Sequence, residues 1–210
     1  MEIDSLNKIA NVSLRYGDVE TGLVTAREGL QLSRQVESSW GEVGALSQLA
    51  LASLDIGEVE EAIGFAQRAT EIAEVKGMSL MLPLTRTTLG VTYRQAGRFE
   101  DASAIFQRVL ADNITDAVAR CVKAELSAVY VLMEDWRRGI DYAKETLTGS
   151  LHPLLIVERQ VWLEAEALAR TGDLEAATQL VERFGERVGD SPRHRRAYER
   201  ARARVRRHDE

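Results

Sequence analysis

The sequence predicts an all-α fold assembled from repeated helical hairpins, and three observations carry that prediction. The 210 residues are rich in Ala, Leu, Glu and Arg, with only three prolines and short β-branched runs, a composition that favours helix over strand. Gly17, Gly57 and Gly97 are evenly spaced and open the similar phrases GDVETG, GEVEEA and GRFEDA. GDLEAA from Gly172 matches well and EDWRRG from Glu134 more weakly. Val19, Val59, Phe99, Trp136 and Leu174 therefore recur at a nearly constant period of roughly 40 residues, and self-similarity at such a period is the signature of stacked repeats.

Each phrase has the same physical logic. Glycine takes the left-handed conformation that ends a helix. An acidic side chain then suits the positive start of the next helix. A small residue (Gly22, Ala62, Ala102, Gly139 or Ala177) lets that helix pack back on the first. The segment LGVTYRQAGRFEDASAIFQRV shows the unit best: Gly90 and Ala102 sit where the helices come close, and Leu89, Tyr93, Phe99 and Phe106 fill the space between them.

In order, helices are expected over about 3–16 and 18–36, 40–56 and 58–76, 80–96 and 98–112, 116–133 and 135–147, and 151–171 and 173–188. Ser39, Ser79, Thr115 and Ser150 are the expected N-caps. Pro83 falls in a first turn, where no helical N–H is lost. A last helix over about 192–207 begins at Ser191-Pro192 and carries a narrow stripe, Ala197, Tyr198, Ala201 and Val205, which suits a cap on the final unit. The expected organisation is a repeat domain over 1–190, in units of about 1–37, 38–77, 78–113, 114–149 and 150–190, followed by a basic capping helix over 191–210.

Composition narrows the function classes. No apolar run reaches the roughly 18 residues of a membrane span, and no secretory signal opens the chain. The single cysteine, Cys121, rules out an internal disulfide and reads as a small buried hydrophobe; with these features the expected location is cytoplasmic. His152, His194 and His208 lack ligand spacing, no phosphate loop or GxSxG is present, and paired acids such as Glu60-Glu61 read as solvated helix surface. Neither an enzyme nor a cofactor or metal site is expected. Residues 191–210 carry a net charge of +5 and the other 190 a net of −11. The basic tail fits a solvated face docked on the acidic body, contact with an acidic partner or second copy, or phosphate contact. Nucleic acid is disfavoured by the acidic remainder and by a single tail aromatic, Tyr198.

The unit from about Pro83 to Ile114 resembles a tetratricopeptide repeat: Leu89, Gly90, Tyr93, Gly97, Ala102 and Phe106 match that motif's recurrent Leu, Gly, Tyr, Gly, Ala and Phe. Leu49, Ala50, Gly57, Ala62 and Ala69 match in the second unit, and Leu126, Ser127, Tyr130 and Gly139 in the fourth. The first and fifth keep mainly the turn glycine and small residues such as Ala10, Gly22, Ala165 and Ala177. The long period is similar to that of bacterial signal-responsive regulators of the maltose-activator type and of peptide-gripping scaffolds. The resemblance implies a right-handed α-α superhelix of about five hairpins whose first helices line a concave face.

On that reading the groove holds Asn7, Asn11 and Arg15, then Ser47, Leu51 and Asp55, then Thr87, Val91, Arg94 and Gln95, then Ala124, Ala128 and Val131, and finally Arg159, Trp162, Glu166 and Arg170. Its small apolar middle and polar ends suit an extended peptide or a helix with apolar anchors. The basic carboxylate clamp of chaperone-binding relatives is missing, since Ser47, Leu51, Thr87 and Val91 stand at the relevant positions. Tyr93, Phe99, Phe106, Tyr130 and Trp136 read as packing residues, whereas Trp162 fits an aromatic anchor or inter-unit packing equally. The expected function is a non-catalytic module binding a protein or peptide segment. A small-molecule effector domain of a transcriptional regulator, with the effector near Arg94, Arg159 and Arg170, and self-association as a homo-oligomer are the alternatives.

Overall fold

The computed structural model describes residues 2–112, 114–147, 165–186, 198–199, 201–203 and 205–207, and these are helices joined by tight turns, with no strand among them. They fall into two compact units, Met1–Ile114 and Thr115–Glu210.

The first unit is three hairpins: α1 (Glu2–Tyr16) with α2 (Val19–Gln35), α3 (Ser39–Ile56) with α4 (Val59–Val75), and α5 (Leu82–Gln95) with α6 (Phe99–Ala111). Each helix packs on its neighbours in sequence, and α3 also touches both α1 and α5. The core is therefore a succession of inter-helix layers. Leu49 meets Ala26 of the preceding hairpin, and one repeat later Leu89 meets Ala66. Small residues permit this closeness: a Cβ on Gly22 would lie 2.6 Å from Leu14 Cδ2, and one on Gly90 would lie 2.5 Å from the Phe106 ring.

The second unit holds α7 (Asp116–Leu132) paired with α8 (Trp136–Leu147), a helical run at 165–170 (α9), α10 (Leu174–Gly185), and helical residues at 198–199, 201–203 and 205–206. Ala128, Val131, Ile140, Leu168, Leu180 and Val181 share one core with Ala201 and Val205. The Tyr198 ring lies against Gly185, and its hydroxyl donates to Glu182 at 3.1 Å. The apolar stripe read from the tail thus does pack, at Tyr198, Ala201 and Val205; Ala197 lies outside the described residues.

Turn chemistry follows the repeat. Gly17, Gly57, Gly97 and Gly172 all have positive φ, as the sequence predicts. Glu134 stands at the equivalent turn between α7 and α8 and is left-handed despite its side chain, with φ 61°. Two expected caps move. Ser38, not Ser39, accepts from the Gly41 amide at the start of α3. Ser79 lies in a turn, and α5 begins after Met81 with Pro83 in its first turn. Thr115 caps α7 as expected, and Ser150 lies outside the described residues. Phe106 and Tyr130 are buried, while Tyr93, Phe99 and Trp136 are half-buried. Cys121 is half-buried rather than enclosed, and desolvation still pushes its thiol pKa up.

Candidate functional site

The repeat register sorts the groove residues by face. Asn7, Ser47 and Thr87 are each one repeat apart, as are Asn11, Leu51 and Val91, and Arg15, Asp55 and Gln95. A helical turn is about 3.6 residues, so the three sets form successive rungs across α1, α3 and α5, the helices that touch one another in the first unit. Asn7, Asn11, Arg15, Ser47, Leu51 and Asp55 are half-buried, Thr87 and Val91 buried, and Gln95 exposed.

Two hydroxyls on these rungs are occupied within their own helix: Ser47 donates to the Val43 carbonyl at 2.8 Å and Thr87 to the Pro83 carbonyl at 2.7 Å. Asn7 is different. Its Nδ2 donates across to the Gly41 carbonyl of α3 at 3.3 Å. The side chain fills a notch left by Gly44, where a Cβ would lie 2.7 Å from Nδ2. Its Oδ1 is buried and has no donor, and the same is true of Gln48 Oε1 one position beyond the first rung. A buried acceptor without a hydrogen bond costs free energy until a donor reaches it.

Arg94 and Val131 lie about two helical turns beyond Thr87 and Ala124, on the same side of their helices, but both are buried. They share the register of Leu14, which lies against Gly22, and Val131 lies in the same way against Gly139 of its own hairpin. Val131 is therefore hairpin core, not open groove, and Arg94 is buried too. Ala128 is fully enclosed in the core of the second unit, and Ala124 is half-buried. Glu166 is buried and accepts from Arg170 Nε at 3.0 Å, while the Arg170 guanidinium stacks 4.8 Å from the Trp136 ring centre. Arg159 and Trp162 lie outside the described residues.

Three features have no counterpart in the sequence reading. The first is Arg86, buried at the foot of α5, which reaches Asp112 at 2.7 Å and Glu74 at 2.9 Å and so ties α5 to the C-terminal ends of α6 and α4. The second is the Asn7–Gly44 notch. The third is a cleft of about 690 Å³ in the second unit, lined by Met133, Trp136 and Ile140 together with Glu134, Asp135 and Asp141. Asp135 in that lining is engaged: hydrogen bonds from the Arg138 backbone and side chain hold its pKa below the usual carboxylate value. Among the described residues no group of three or more His, Cys, Asp or Glu is placed to hold a metal, and no helix is long and apolar enough to cross a membrane.

These stacked hairpins, with small residues at each crossing and a left-handed turn in each, have a known counterpart. Residues 41–112 match the tetratricopeptide repeat family. No curated protein matches the chain. Among solved structures, NprR in complex with its cognate peptide NprX is similar at a TM-score of 0.76 and 14% identity, over 94% of this chain and 59% of that one. The apo form of the quorum sensor NprR from B. thuringiensis gives 0.69 and 15%, over 88% and 53%. BtubC from P. vanneervenii gives 0.66 and 18%, over 96% and 80%. At these identities the likeness is one of fold, tetratricopeptide-like helical repeats, and the chain spans little more than half of NprR.

Proposed function

We propose that the chain is a non-catalytic module that binds a peptide or an extended protein segment along the α1–α3–α5 face of its first unit. The observation that carries this reading is the set of partly open side chains one repeat apart on adjacent helices, Asn11 with Leu51 and Arg15 with Asp55. An extended peptide offers backbone hydrogen-bonding groups for the Asn11 amide and side chains for the apolar rung of Leu51 and Val91. The peptide complex of NprR, a protein of similar fold, supports the same direction. Asn11, Arg15, Asp55 and Gln95 would fix polarity and register at the far rungs. A place within a larger signal-responsive regulator rests on the long repeat period alone and is part of this proposal, as is a location in the cytoplasm.

The test is selection of binding peptides from a random displayed library, followed by titration against variants. Asn11→Ala and Leu51→Ala change half-buried positions and are expected to keep the helical circular dichroism while weakening selected peptides about tenfold or more, on the order of 1.4 kcal/mol. Peptides that bind the double variant as tightly as the parent chain would refute the groove assignment.

A further inference from the structure

The outer face of α1 carries an inference separate from the groove. In the repeat register, Ser5, Ile9 and Val12 of α1 correspond to Ala45, Leu49 and Ala52 of α3 and to Thr85, Leu89 and Thr92 of α5. In α3 and α5 this face is closed: Leu49 is 1% exposed and Leu89 6%, and Ala52 and Thr92 are both 0% exposed. What closes it is the return helix of the preceding hairpin. Ala26 of α2, flanked by Leu23 and Leu30, receives Leu49; Ala66 of α4 receives Leu89. In α1 the same face is open, with Ile9 49% and Val12 50% exposed. Two aliphatic side chains thus stand open at the register of a buried layer.

We propose that this face of α1 is a docking site for one amphipathic helix, presenting an alanine with an apolar residue three positions before it. The chain's own layers define that chemistry: Leu23-Ala26 of α2 is the pattern that covers α3, and Ile63-Ala66 is its counterpart in α4. The alanine matters because Ile9 is as large as Leu49 and needs the same shallow seat. The docked helix would continue the interfaces α2–α3 and α4–α5 by one layer, and it leaves the α1–α3–α5 rungs untouched.

The probe is a synthetic peptide of residues 58–76, the chain's own α4 sequence. It is held helical by a staple between the positions of Glu60 and Gly64, both exposed in the chain. Added to the full chain, it is expected to bind saturably and to slow amide exchange over the middle of α1. Val12→Glu is expected to weaken that binding about tenfold or more without lowering the melting temperature, since Val12 is half-exposed. The Ala66→Glu peptide is expected not to bind. Absence of saturable binding at millimolar peptide would overturn the proposal, as would binding indifferent to Val12→Glu or protection that maps to the α3–α5 rungs. A concentration-dependent dimer that is lost in Val12→Glu but not competed by the peptide would overturn it in favour of a second copy of the chain. Failure of either test leaves the other standing, because Asn11 and Leu51 lie on a different face from Val12.

Discussion

Glu134 holds a backbone conformation that four other hairpin turns give to glycine. A side chain with a Cβ costs roughly 1 kcal/mol in the left-handed region, so Glu134→Gly is expected to stabilise the second unit by about that amount, read as a rise of a few degrees in thermal melts. The amide of Glu134 already bonds the Val131 carbonyl at 3.1 Å and that of Asp135 the Tyr130 carbonyl at 2.9 Å, so the turn itself has nothing to gain except relief of this strain. A lower melting temperature for the glycine variant would show that the Glu134 side chain contributes more than its backbone costs. The glycine turns are legible in the sequence because few residues other than glycine take that conformation readily. Glu134 is legible only through its place in the register. Arg86 is not legible at all: its partners Glu74 and Asp112 are 12 and 26 residues away, and no local pattern marks a pair that only tertiary packing creates.

Helix existence and order are legible because hydrophobic spacing and turn glycines agree in nearly every described hairpin. Helix starts are less so. A serine pair such as Ser38-Ser39 offers two possible caps, and the choice is made by Glu37, whose left-handed turn, φ 55°, places Ser38 at the junction. The Ser38 side chain accepts from the Gly41 amide at 3.2 Å, whereas Ser39 is already the first residue of α3. Ser38→Ala is therefore expected to cost about 1 kcal/mol of unfolding free energy, and Ser39→Ala only a few tenths. Equal losses in denaturant titrations would contradict this cap. Burial, rather than position round the helix, divides the groove residues. Register puts Asn7, Ser47 and Thr87 on one face, and Arg94, seven residues beyond Thr87, stays within about 20° of it. Arg94 and Val131 differ from the open positions in being buried, Val131 against Gly139 of its own hairpin.

At the scale of the molecule, the described residues make two units with separate cores. We keep the division into five hairpins and a basic cap as a proposal, and the described part of the tail supports its last piece. Ala201 and Val205 are buried in the second core, and Tyr198 covers Gly185. Removing residues 191–210 uncovers Leu180 and Val181 and is expected to cost the second unit about 3 kcal/mol. Amide exchange should then accelerate in α10 and stay unchanged in α1–α6. Unchanged protection in α10 would mean that the tail merely rests on the unit. The charge contrast between tail and body is plain from the sequence. That Tyr198 and Arg202 settle beside Glu182 is not, because which acid a basic helix meets depends on the packing of α10.

The Arg86 tie has a consequence for the medium in which the protein works. Its side chain is 5% exposed against partners Glu74 and Asp112 at 42% and 37%, whereas the Arg98–Asp101 pair has both side chains about half in solvent. Mobile counterions reach the second kind of contact more fully than the first, which they meet only from the carboxylate side. The Arg86 tie between the third hairpin and the second is therefore less sensitive to ionic strength than the exposed pairs, and a brackish medium would weaken those before it loosened that joint.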